Sequence, residues 1–138
     1  MISPNLRDYD VNVLIAIGNN IVDDAFTRNH IKLLIIEKIN VIDSPLFFLI
    51  NKFLSSNKIL KEVYAEIITM RMKLEIYNID NNIIDEILNL VTLDTLICYG
   101  AESSNLNFSN KCKEEFWKRG ILLEDKIELN NKRKFRCK

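Results

Sequence analysis

Ser44-Pro-Leu-Phe-Phe-Leu-Ile-Asn-Lys-Phe53, followed by Ser56-Asn-Lys-Ile-Leu-Lys-Glu-Val-Tyr-Ala-Glu-Ile67, is the stretch that decides the fold. A hydroxyl before a proline is a helix-start signal, because the side chain can cap an orphan N–H and proline tolerates the first turn. The apolar run 46–53 then reads as a short helix. Ser56 offers a second cap, and Ile59, Leu60, Val63, Tyr64 and Ile67 recur at three- and four-residue steps, the spacing of one helix face. Two helices in succession, short then long, are the unit from which the rest is read.

The same unit extends in both directions. Upstream, residues 11–17 and 30–39 read as helices, although Val11, Val13, Ile15 and Ile17 also alternate as a strand would. Downstream, Asp80 precedes Ile83, Ile84, Ile87 and Leu88. Thr92 introduces Leu93, Leu96 and Ile97, with Gly100 as a left-handed stop. Ser109 is expected to cap a helix over 110–119 that Gly120 ends. Between Met70 and Ile76 apolar and charged residues alternate, so strand and helix both stay open for 69–77.

Helical segments around Leu33, Val63 and Leu96 lie 30 and 33 residues apart. This spacing predicts that the three leucine and valine side chains occupy equivalent buried positions. A helix pair cannot bury its faces alone, so such units are expected to stack. The predicted fold is all-α: helix-pair repeats at 10–43, 44–79 and 80–104 in a helical domain 1–122, forming a small solenoid. A basic extension, 123–138, follows, where Ile127, Leu129, Phe135 and Cys137 alternate as in a small β-hairpin.

Composition narrows the function classes. Three glycines and two prolines in 138 residues disfavour a turn-rich β-sandwich and the glycine loops of nucleotide-binding enzymes. Isoleucine, asparagine and lysine together supply 51 of 138 residues while alanine, the best helix former, appears only four times, which fits an AT-rich coding sequence. No apolar run reaches the roughly 18 residues of a membrane span, and acid stands near the start where a signal peptide would be apolar. Cys98, Cys112 and Cys137 show no C-x-x-C spacing. Neither a disulfide framework nor a zinc site is expected, and the compartment reads as intracellular and reducing. The Asn107-Phe-Ser109 sequon then reads as chance.

No catalytic, cofactor-binding or metal-binding residue is expected. His30 is the only histidine, which excludes a multi-histidine metal site within the chain, and its place at a helix start suits capping or the surface rather than catalysis. Asp23-Asp24 and Glu114-Glu115 suit early-turn acids that favour the helix dipole. The candidate partner-binding residues are Phe116, Trp117, Lys132, Arg133, Lys134 and Arg136. Phe116 and Trp117, among Lys113, Lys118 and Arg119, fit stacking on nucleic acid, an interface anchor or simply one buried helix face. The last seven residues hold five cations and no acid. That tail is expected to be held, internally through the hairpin or externally by an acidic or phosphate-bearing partner.

Asp43-Ser44-Pro45-Leu46 resembles the opening of an ankyrin repeat, and Leu96-Ile-Cys-Tyr-Gly-Ala-Glu102 resembles its close. Leu33-Leu-Ile-Ile-Glu-Lys-Ile-Asn-Val41 is similar to that close with the Gly-Ala pair replaced. The resemblance covers about residues 10–104 and departs from the family where Gly-x-Thr-Pro-Leu-His is nowhere complete. Ser103-Ser-Asn105 leading to Cys112-Lys-Glu-Glu-Phe-Trp-Lys118 resembles the tail of F-box domains, without their opening Leu-Pro. In large DNA viruses the two occur together as ubiquitin-ligase adaptors. The resemblance thus implies a non-enzymatic protein–protein adaptor or scaffold. The alternative is a nucleic-acid- or ribonucleoprotein-associated factor anchored by residues 132–138.

Overall fold

The computed structural model describes residues 5–21, 23–72, 79–100, 103 and 105–119. Among these the protein is all-helical, with no strand. The expected hairpin and basic extension, 123–138, lie outside the described residues, as do 73–77 of the segment left open between strand and helix. The chain falls into two compact units, Met1–Ile67 and Ile68–Lys138.

In the first unit a 3-10 turn, Leu6–Asp8, precedes α1 (Val11–Asn20). Asp10 caps α1 by accepting from the Val13 N–H at 3.0 Å, so the alternating valines and isoleucines form a helix and not a strand. The next helix, α2 (Ala25–Ile39), begins five residues before the expected start. Its cap is Asp24, whose carboxylate accepts from the Thr27 N–H at 3.1 Å and from the Thr27 hydroxyl at 2.5 Å. His30 therefore lies inside the helix on an exposed position and not at its start. Asn40 ends α2 in the left-handed region at φ 46°, which asparagine tolerates better than most residues.

Next comes α3 (Leu46–Ser55), with Pro45 at the cap instead of the first helical position; its carbonyl accepts from Phe48 and Leu49 at 3.0 and 3.2 Å. Ser56 closes α3 and does not cap α4 (Lys58–Met72). That duty falls to Asn19 of α1, whose side-chain oxygen accepts from the Ile59 N–H at 2.9 Å. The core of this unit comprises Leu14, Ile31, Leu34, Ile35, Leu46, Leu49, Phe53, Ile59, Val63 and Ile67. Gly18 is buried because a Cβ there would collide with the Ile59 side chain and lie 3.3 Å from Ile31 Cγ2.

In the second unit Asp80 caps α5 (Asn81–Leu88), accepting from the Asn82 N–H at 2.7 Å. Thr92 caps α6 (Leu93–Thr95), which passes into a π-helical turn, Leu96–Gly100. Ser103 then donates to the Met72 carbonyl at 2.6 Å and accepts from the Asn105 N–H at 3.1 Å. Asn105, not Ser109, caps α7 (Leu106–Lys118), because its side chain reaches the Phe108 N–H at 3.1 Å. Ser109 falls inside the helix and is buried. α7 packs against α5 and the π-turn around Ile84, Leu88, Leu96, Phe108 and Cys112.

One expectation fails in register. Val63 and Leu96 are buried, but Leu33 is 55% exposed. The buried stripe of α2 is Ile31, Leu34 and Ile35, and Leu33, two residues from both isoleucines, turns to the opposite side at about 100° per residue.

A different spacing is regular. The short helices α1, α3 and α5 begin at Val11, Leu46 and Asn81, two steps of 35 residues. Buried Leu14, Leu49 and Ile84 repeat that step, as do buried Gly18, Phe53 and Leu88. The second helices begin at Ala25, Lys58 and Leu93, steps of 33 and 35.

Candidate interaction surfaces

At the end of each short helix the chain does the same piece of chemistry. The last-turn carbonyls of a helix lack internal donors and carry partial negative charge, so a cation there is favoured. Arg28 donates to the carbonyls of Gly18 and Ile21, the latter at 3.0 Å. Lys61 donates to the Phe53 carbonyl at 3.1 Å and Arg119 to the Leu88 carbonyl at 2.9 Å. The three accepting positions, 18, 53 and 88, are the equivalent ones in the 35-residue spacing.

Arg28 belongs to a larger charged cluster inside the first unit. Its guanidinium pairs with Glu62, and Lys32 lies 3.5 Å from both Glu62 and Glu66. Lys32 is only 4% exposed. Buried charges are tolerated when each meets an opposite charge, and here α2 supplies both cations and α4 both carboxylates. This cluster fixes how α2 and α4 pack, and it presents nothing to a ligand.

In the second unit Asp85, Leu88, Lys111, Glu114, Glu115 and Lys118 line a depression of about 80 Å³. Its charges are engaged locally: Lys111 with Asp85 at 2.8 Å, and Glu115 with Arg119 at 3.2 Å. The volume is well below the roughly 300 Å³ at which small-molecule pockets begin. Cys112, buried in α7, has its thiol pushed up to about 12 by burial and then by the charge of Glu115. It is no nucleophile. Cys98 is disulfide-bonded, against the expectation of no disulfide framework, and Cys112 is free and enclosed. Cys137 lies outside the described residues. Among the described residues no three His, Cys, Asp or Glu side chains converge as a metal site, and no helix is long and apolar enough to cross a membrane.

The expected partner-binding residues divide. Lys132, Arg133, Lys134 and Arg136 lie outside the described residues. On α7 the buried face is Phe108, Cys112 and Glu115, which leaves Phe116 half-buried and Trp117 54% exposed. Only the tryptophan of that pair presents a large apolar surface.

Other large apolar side chains stand exposed on α2 and α3, on positions the sequence pattern assigned to no site. On α2 they are Phe26, 85% exposed, and Leu33; on α3 they are Phe47, 70% exposed, and Leu54. Each pair is separated by seven residues, two helical turns, and so shares one face. The available signal was the surplus: each helix carries more apolar residues than one buried stripe uses. Compared with known protein families, curated proteins and solved structures, the chain matches none.

Proposed function

We propose that this chain is a non-enzymatic protein–protein interaction module, an adaptor or scaffold built from helix-pair repeats. The observation that carries the reading is the set of large apolar side chains on outward helix faces, Phe26 and Leu33 on α2 and Phe47 and Leu54 on α3. Apolar side chains clustered on a surface otherwise rich in charge are characteristic of partner-binding patches. The repeat component draws support from the 35-residue spacing of short helices and from the cation donated to each equivalent carbonyl. The resemblance to ankyrin repeats, whose unit is about 33 residues, belongs to the same proposal.

The test is affinity capture from the native host, at low salt and at about 1 M salt, where the Debye length falls to about 3 Å. An apolar interface keeps its protein partner at both, and Phe26→Ser/Leu33→Ser or Phe47→Ser/Leu54→Ser releases it. Capture of nucleic acid that is lost steeply with salt would refute the reading.

A further inference from the structure

The second helix pair shows what the exposed face of α2 is for. Among the contacts of α4 with the preceding pair are Ile59 against Gly18 of α1, and Glu62 and Glu66 against Arg28 and Lys32 of α2. Counting back 33 residues, the offset between the starts of α2 and α4, these positions become Phe26, Asn29 and Leu33. All three are exposed. Val63, fully buried in α4, likewise becomes exposed His30. The face of α2 that carries Phe26, Asn29, His30 and Leu33 is thus the counterpart of a face that, one unit later, is covered by the helix before it, α2.

We infer that this face docks an amphipathic helix of a partner protein, in continuation of the packing between α2 and α4. The inference rests on the interaction-module reading and names its site and partner class. Within the chain, the helix covering the equivalent face presents the cations Arg28 and Lys32, with Ile31 buried between them in sequence. On α2 the two glutamates of that face are replaced by Asn29 and Leu33, so the centre of the contact is apolar. Charge remains at the rim: Asp23 and Asp24 are exposed beside Phe26, and Glu37, bridged to Arg7 at 3.3 Å, is exposed beyond Leu33. The complementary helix carries apolar side chains at three-, four- and seven-residue steps and lysine or arginine at the end that meets Asp23 and Asp24.

A second copy of this chain fits poorly. Laid antiparallel, α2 on α2 sets Glu37 beside the other copy's Asp23 and Asp24; laid parallel, it sets those aspartates against each other. Like charges across an interface select against a pairing.

The experiment uses the full chain and a fluorescein-labelled peptide with leucines at those steps and three lysines at its N-terminal end, the end that a helix running parallel to α2, as α4 does, sets beside Asp23 and Asp24. Anisotropy titration should show saturable binding. A version with three glutamates at that end should bind at least about fivefold more weakly at low salt, because it faces Asp23 and Asp24. Phe26→Ser/Leu33→Ser should weaken binding by at least about tenfold, since it strips the apolar anchors, while Phe47→Ser/Leu54→Ser leaves it intact. Both substituted pairs are exposed, and an unchanged urea midpoint confirms the fold; Leu33→Ser alone serves if the double variant falls short. Absence of saturable binding, equal binding by the α2 variant, or equal affinity for the glutamate peptide would overturn the inference. So would a dimer in light scattering that Phe26→Ser/Leu33→Ser dissolves, which would make a second copy the occupant. A host partner released by the α3 variant but kept by the α2 variant sinks this face and leaves the interaction module standing.

Discussion

Gly18 is the sharpest test of how the first unit packs. Replacing it with alanine adds one methyl at a point already filled by Ile59 Cδ1, with Ile31 Cγ2 a further 3.3 Å away. Two effects oppose each other. Alanine in a helix interior gains about 1 kcal/mol over glycine, and overpacking a tight core costs about 1–3 kcal/mol. Ile59 and Ile31 are both fully buried, so neither yields freely, and overpacking wins by about 1 kcal/mol. Ile59→Val removes the offending carbon and alone costs about 1 kcal/mol. In Gly18→Ala/Ile59→Val the new methyl takes the vacated space, so the double variant should be more stable than the sum of the singles by at least about 1 kcal/mol. Urea unfolding followed by circular dichroism reads all four corners, with equal slopes as the check that only stability changed. A Gly18→Ala protein that gains the full helix-propensity increment, together with zero coupling to Ile59, would refute the close contact between α1 and α4.

Lys32→Met removes the ammonium that sits between Glu62 and Glu66, and should cost about 3–5 kcal/mol in urea unfolding, part of it recovered by adding Glu66→Gln. Asp24 is held below its ordinary 3.8, first by the Thr27 hydroxyl and then by the Thr27 N–H. The stability it contributes is therefore complete above that value and lost as pH falls through the lower folded value, and Asp24→Asn should flatten the acid limb of the stability profile. Cys112, with its thiol at about 12 and its sulfur enclosed, should resist a thiol reagent near neutral pH and react once urea opens the fold; prompt labelling of the native chain would contradict the burial of that face of α7.

The all-helical character and two of the caps were legible, whereas Ser44, Ser56 and Ser109 were expected as caps and are not. Asp80 and Thr92 do what short polar residues before an apolar run do, and the scarcity of glycine and proline pointed to helices. Local pattern failed where tertiary contacts invert it. In Ile31-Lys-Leu-Leu-Ile-Ile36 the one charged residue is buried and Leu33 is exposed, because the carboxylates that accommodate Lys32 come from α4, thirty and more residues away. No local rule contains that information. The 35-residue step was hidden for a related reason: its buried positions hold Gly18, Phe53 and Leu88, alike in place and unlike in chemistry. Of the interaction residues, Trp117 was legible as an aromatic among cations. Phe26 and Phe47 were not, since a phenylalanine is assigned to a core until the core is known to be full.

The cap that Asn19 places on Ile59, forty residues along the chain, bears on the order in which the protein assembles. The Ile59 N–H in the first turn of α4 finds its acceptor on α1, and Lys58 begins the helix at φ 50°, a conformation unfavourable for its side chain. Until α1 is helical, with Asn19 on its last turn, α4 has a poor start. A fragment beginning at α3 would thus carry a second helix prone to fraying, whereas a fragment ending at residue 72 holds everything α4 needs to begin. Growth from the amino end lets α4 form on a finished α1, matching the direction in which a ribosome delivers the chain. Circularly permuting the protein so that α1 is made last would remove that advantage and expose the apolar flank of α4 for the duration of synthesis.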